Sequence, residues 1–178
     1  GHGAGSKTTG AGNSFFGSNA GKENGTGFNN AFFGDGAGQF NTLGDNNAFF
    51  GVVAGNSNSE GKRNSFFGGG AGFANTFGND NSFFGNGAGF SNVSAIGNSF
   101  FGSGAGGANK TGDNNSFFGQ NAGMANTTGG FNSFFGESAG AGNQTGVQNA
   151  FFGFAAGQNN QGFRNSFFGN YSGADNAG

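Results

Sequence analysis

A pair of Phe residues followed by Gly returns at a fixed interval along the chain, and no other feature restricts the fold as strongly. "NSFFG" begins at Asn13, Asn64, Asn81, Asn98, Asn115, Asn132 and Asn165, and "NAFFG" at Asn30, Asn47 and Asn149. The first ring of each pair is Phe15, Phe32, Phe49, Phe66, Phe83, Phe100, Phe117, Phe134, Phe151 and Phe167. The steps between them are 17 residues eight times and 16 once. Numbered from the Asn before the pair, the repeat reads N-[SA]-F-F-G-x-x-A-G-x-x-N-x-T-G-x-x. Its eighth place is Ala from Ala20 to Ala156, its ninth Gly from Gly21 to Gly157, and its twelfth Asn from Asn24 to Asn160. The fifteenth is Gly in most copies, with Ala95 an exception. Charged residues of the repeat, among them Lys22, Glu23, Asp35, Lys62, Arg63 and Asp113, avoid places one to five, eight, nine and twelve. One part of each repeat is fixed and the rest is tolerant, as in a coil with an inside and an outside.

A unit this short cannot bury an apolar face alone and must stack on its neighbours. It lacks strong helix formers and carries several Gly, which argues against helical repeats. Paired aromatics favour a pleated surface, so "NSFF" is read as a short strand. The Gly at places five, nine and fifteen supply bends. A second short strand is expected between the eighth and about the thirteenth place. The fold class is therefore all-β: a parallel β-solenoid or β-roll of about ten 17-residue turns, forming one array over residues 1–178.

On a strand, neighbouring side chains point to opposite faces. One Phe of each pair then fills the interior against the small eighth-place Ala. The other (Phe16, Phe33, Phe50, Phe67, Phe84, Phe101, Phe118, Phe135, Phe152 or Phe168) joins an outward stripe. Such a stripe is rarely tolerated on a soluble monomer. Full burial of one ring contributes roughly 1.5–3 kcal/mol. The expectation is self-association through the outer ladder, around a threefold or twofold axis. The alternative places both rings inside, with a bulge at the following Gly.

Stacking also gives the Asn a role, because identical amides one turn apart can bond along the axis. Candidates are the first-place Asn13, Asn30, Asn47, Asn64, Asn81, Asn98, Asn115, Asn132, Asn149 and Asn165, and the twelfth-place column. The pattern does not choose between them. The other reading of Asn is a preference for left-handed turns.

Composition narrows the function. Lys plus Arg number 6 against 8 Asp plus Glu, a net charge of −2, with no basic patch for nucleic acid. There is no Cys, hence no disulfide or thiolate site, and no apolar run of membrane-spanning length. His2 is the only His, and the acidic residues do not recur turn by turn as in calcium-binding rolls. "GNGAG" at Gly85–Gly89 and "GSGAG" at Gly102–Gly106 lack the Lys and helix of a phosphate loop and are read as turns. No catalytic residue, cofactor or metal site is expected. Phe73 and Phe90, one turn apart at the tenth place, form a candidate aromatic patch for a glycan, set against ordinary surface variation.

The repeat resembles those of bacterial and phage-type tail-fibre proteins, many of which end in a self-cleaving chaperone domain. More loosely, it is similar to the β-roll head repeats of trimeric autotransporter adhesins. "NSFFGNGAGFSNVSAIG" at Asn81–Gly97 and "NSFFGQNAGMANTTGG" at Asn115–Gly130 carry the likeness best, and it extends over nearly the whole chain. The Phe pair is bulkier than the adhesin pattern. The resemblance implies a fibrous, trimeric, extracellular, cell-surface or virion-associated part that acts as adhesin or spacer rod. The chain enters the repeat at its fifth place ("GHGAG") and leaves it near the fourteenth (Asn176–Gly178) without a recognisable cap. Either a longer native chain or end-to-end stacking into filaments is expected from that. Two other readings stand beside the fibre. Phe-Gly dipeptides in polar spacers suit a disordered barrier, although a fixed period is not needed there. A flat Thr-bearing face suits ice binding, but Leu43, Glu60 and Phe77 interrupt Thr26, Thr111, Thr128 and Thr145 at the fourteenth place.

Overall fold

In the computed structural model, which describes residues 1–175, the chain winds into a parallel β-solenoid. The Asn176–Gly178 end discussed above lies outside the described residues. Each winding contributes one three-residue strand: β1 Ser14–Phe16, β2 Ala31–Phe33, β3 Ala48–Phe50, β4 Ser65–Phe67, β5 Ser82–Phe84, β6 Ser99–Phe101, β7 Ser116–Phe118, β8 Ser133–Phe135, β9 Ala150–Phe152 and β10 Ser166–Phe168. They form a single sheet in sequence order, every neighbour parallel and in register, so that Phe32 lies over Phe15 and Phe33 over Phe16. Nine steps of about 4.8 Å make a stack about 43 Å long.

The second strand expected between places eight and thirteen does not form. Positive φ recurs at places five, seven and nine, as at Gly68 (138°), Gly70 (67°) and Gly72 (58°), and alternates with negative φ between. A backbone that changes hand at every other residue up to place nine cannot run extended there, and tight hydrogen-bonded turns carry it on to place twelve. Its hydrogen bonds alternate instead. Within the turn, Ala71 N–H donates to Gly68 C=O (3.2 Å), Phe73 to Gly70 (3.1 Å) and Asn75 to Gly72 (3.0 Å). Between turns, Gly72 N–H donates to Ala88 C=O (2.9 Å) and Ala74 to Phe90 (3.0 Å). The backbone therefore stays satisfied without a second sheet.

Two glycine columns fix this path. At the fifth place, a Cβ on Gly68 would strike the Gly85 carbonyl of the next winding. At the ninth, a Cβ on Gly72 would strike the Phe66 ring. That ring lies flat over bare backbone, with Ala71 beside it, and this is how one large aromatic fits in each narrow winding. Phe32 through Phe151 in the first column are fully buried with their eighth-place Ala.

Both end windings are one residue short. Asn160 and Asn165 are 5 residues apart where other copies have 6, and around the first winding, Thr9 bonds its partner carbonyl 16 residues away instead of 17. Thr8, whose N–H donates to Gly5 C=O as Asn24 N–H donates to Gly21 C=O, stands at the twelfth place of that first winding.

Candidate assembly interface

The two rings of each pair diverge. In β2 to β9 the first Phe is buried and the second is half-buried on the outer face, beside the second-place Ser or Ala. At the ends, Phe16 and Phe168 are 66% and 68% exposed. No bulge brings the second ring inside, because the strand stays in register along the whole sheet.

The outer rings stack on one another. Centroids of successive rings lie 5.2 Å apart for Phe16–Phe33, 4.7 Å for Phe67–Phe84 and 5.1 Å for Phe152–Phe168, with planes 4°, 5° and 5° apart. Adjacent strands ordinarily rotate by roughly 20–25°. Rings in identical positions that rotate this little report a nearly flat sheet, the kind that side-chain ladders stabilise. Self-stacking already covers most of each inner ring. Lateral contact would thus bury less per ring than the roughly 1.5–3 kcal/mol of complete burial.

The Asn behind the sheet hold the windings in register, and the two columns divide the work. At the twelfth place the bonds run amide to amide: Asn41 Nδ2 donates to Asn24 Oδ1, Asn58 to Asn41 and Asn75 to Asn58, each at 2.6 Å. The second hydrogen of each amide goes to the fifteenth-place carbonyl of its own turn, as from Asn58 to Gly61 C=O (2.9 Å). First-place Asn do something else. Asn47 Oδ1 accepts from the backbone N–H of Asn64 (2.9 Å), and Asn47 Nδ2 donates to Gly61 C=O (2.8 Å). The same backbone brace recurs from Asn13 Oδ1 with Asn30 N–H to Asn149 Oδ1 with Asn165 N–H. The amide-to-amide ladder that runs unbroken from Asn24 to Asn126 is thus the twelfth column; in the first, such a bond joins the brace only from Asn98 to Asn81 (3.3 Å) and from Asn132 to Asn115 (3.1 Å). The first-place side chains face a strand N–H that has no ladder carbonyl, and they take it.

The ladder fails where the repeat does. Ala95 replaces the fifteenth-place Gly, whose Cβ would crowd the Asn column, and the neighbouring bonds lengthen. Asn92 Nδ2 is 3.4 Å from Ala95 C=O, and Asn109 Nδ2 is 3.2 Å from Asn92 Oδ1. Beyond Asn126 the short final winding interrupts the column. Asn143 turns its oxygen to Gly146 N–H (2.9 Å), and the buried Asn126 Oδ1 is left without a partner. At the other end Thr8 replaces Asn, and its Oγ1 is likewise unpaired.

The remaining surface carries variable side chains. Ion pairs join like places of adjacent turns: Lys62 with Asp45 (2.7 Å), Arg63 with Asp80 (2.6 Å) and Lys7 with Glu23 (2.6 Å). Stacking brings equivalent places so close that only opposite charges suit adjacent turns. The Arg63 guanidinium donates two hydrogen bonds to Asp80 and holds that carboxyl below its usual range. Phe73 and Phe90 stack at 4.9 Å, and Thr26, Thr111, Thr128 and Thr145 are exposed but broken up by Leu43 and Phe77. Among the described residues no pocket opens, no three acidic or His side chains converge, and no helix is long and apolar enough to cross a membrane.

The outer strand face was legible as a Phe stripe. What sequence reasoning passed over is its second column: Ser14, Ala31, Ala48, Ser65, Ser82, Ser99, Ser116, Ser133, Ala150 and Ser166 point outward beside the rings. The bracketed [SA] in the repeat was the available signal. No protein-family model, curated protein or solved structure matches the chain.

Proposed function

We propose that the protein is a non-enzymatic structural component of a fibre, built from coils that associate laterally through the outer Phe face. The observation that carries this reading is an imbalance of variation on the outside of the coil. Outward places six, ten, fourteen, sixteen and seventeen hold anything from Asp and Lys to Phe, as at Asp35, Lys62 and Phe131. The two outward places of the strand hold only Phe and only Ser or Ala in all ten copies. Stacking between windings favours repeated rings, yet a second place facing water alone has no reason to hold only Ser or Ala. A position covered by another molecule does.

An apolar stripe along a straight rod suits end uses in which stiffness and repetition matter: a spacer, or an adhesin shaft outside the cell or on a virion, as the resemblance to tail-fibre and adhesin repeats implies. A glycan or cell-surface ligand would then be met by the variable faces, where Phe90 and its neighbour Phe73 offer stacked rings. A wound coil with a continuous sheet is a different state from a disordered Phe-Gly barrier, and the interrupted Thr positions do not support ice binding.

Sedimentation velocity and negative-stain microscopy test the proposal. Laterally associated species are expected from the intact chain at micromolar concentration. Replacing two central outer rings, Phe84→Ser and Phe101→Ser, should shift the population toward single coils while the circular dichroism remains that of a β fold. A monodisperse monomer of the intact chain at high concentration would end the fibre reading.

A further inference from the structure

We infer that the coil pairs with a second copy of itself across a twofold axis parallel to its length, each Phe column seated on the partner's Ser/Ala column. This rests on the lateral-association reading and adds its partner, symmetry and orientation.

The outer strand face holds two straight columns, one of small residues at the second place and one of rings at the fourth, about 7 Å apart. Their straightness follows from the 3–5° between successive rings, as in Phe101–Phe118 and Phe118–Phe135, both 3°. The face is therefore a ridge beside a groove, uniform along its length.

Two operations place this face against itself. A twofold axis along the strands makes the coils antiparallel and sets ridge on ridge, ring against ring, with the grooves left empty. A twofold axis along the coil exchanges the columns. Each ridge then enters the other's groove at every winding, and the coils run parallel. Only the second gives the dry, interdigitated packing that paired β faces adopt in steric zippers. It also explains why a larger residue never appears at the second place: it would fill the slot that the partner's ring needs. Around a threefold axis, flat faces meet only near their edges, and most of each groove stays open.

The area suffices. A fully exposed aromatic side chain offers on the order of 200 Å². On that scale the largely bare Phe16 and Phe168, the eight half-buried rings between them and the small column together present roughly 750 Å² per copy. Pairing would remove about 1,500 Å², within the range of specific stable interfaces at about 1,200–2,000 Å². The contact is isologous, so it closes at two copies.

The chain has no Cys, so introduced thiols are unique labels. The parallel pairing sets Ser14 of one copy against Phe16 of the other, at the same end. A mixture of Ser14→Cys and Phe16→Cys chains treated with a short bismaleimide should yield a covalent dimer. A mixture of Ser14→Cys and Phe168→Cys chains should yield no dimer that joins one variant to the other, read from the mass of the cross-linked peptides. Native mass spectrometry of the unmodified protein should give twice the chain mass. Ser99→Phe, outward on β6, should weaken dimerisation at least tenfold while leaving the β circular dichroism unchanged. Cross-linking of Ser14→Cys to Phe168→Cys, or a trimer that tolerates Ser99→Phe, overturns the parallel twofold pairing but leaves lateral association standing. A monomer in every measurement overturns both.

Discussion

The Asn column offers a stability prediction with its own internal control. Asn58 and Asn126 stand at the same repeat place, each the third Asn from its end of the column that runs from Asn24 to Asn160, and both are fully buried. Truncation to Ala removes the same atoms and leaves a comparable cavity at each site. The hydrogen-bond consequences differ. Asn58→Ala strips Asn41 Oδ1 of its donor and leaves one hydrogen of Asn75 Nδ2 without its acceptor, since Asn75 donates to Asn58 at 2.6 Å. Asn126→Ala strips only Asn109 Oδ1, because Asn126 Oδ1 has no partner to lose. Each newly orphaned buried group costs about 1–3 kcal/mol. Asn58→Ala should therefore destabilise by about 1–3 kcal/mol more than Asn126→Ala, the shared cavity and backbone losses cancelling in the comparison. Urea unfolding followed by circular dichroism reads the difference. Because repeat arrays unfold as coupled nearest neighbours, amide exchange of the flanking windings should accompany it. Equal losses at the two sites, or a greater loss at Asn126, would refute the account of the ladder as a chain of mutually satisfied amides.

Two further substitutions probe the backbone. Gly78→Ala places a Cβ against Asn75 Oδ1 and the Ala95 carbonyl and should destabilise by about 1–3 kcal/mol, the cost of overpacking, although Gly→Ala at an uncrowded site with negative φ normally stabilises. The reverse change, Ala95→Gly, should shorten the stretched Asn109–Asn92 bond and cost less than about 1 kcal/mol, read by the same unfolding curves. Val53 holds φ of 51° at the seventh place, where Asn19 and Asn121 hold 55° and 57°. Val53→Asn should stabilise by roughly 1 kcal/mol, since a β-branched residue in the left-handed region is strained and Asn is tolerated there. A fall in thermal midpoint would count against it.

The winding was readable from the chain alone. A period of 17 with Phe, Ala, Gly and Asn at constant offsets admits few folds other than stacked parallel turns, and strand alternation alone sends Phe32 inward and Phe33 outward. The constancy of Gly68 and Gly72 in their columns likewise pointed to bends. Tertiary structure decided what those bends add up to. How the chain enters places eight to thirteen depends on the sign of φ at the seventh place, where Val53 and Tyr171 are left-handed although no residue preference would assign them there. The allocation of the two Asn columns was equally hidden. Both hold the same side chain at the same spacing, and only the direction of the nearby N–H groups decides that Asn47 bonds a backbone and Asn58 bonds another amide. The flatness that turns an aromatic column into a straight ridge arises only when all the windings stack, because rotation between strands is a property of neighbours in space and not of neighbours along the chain.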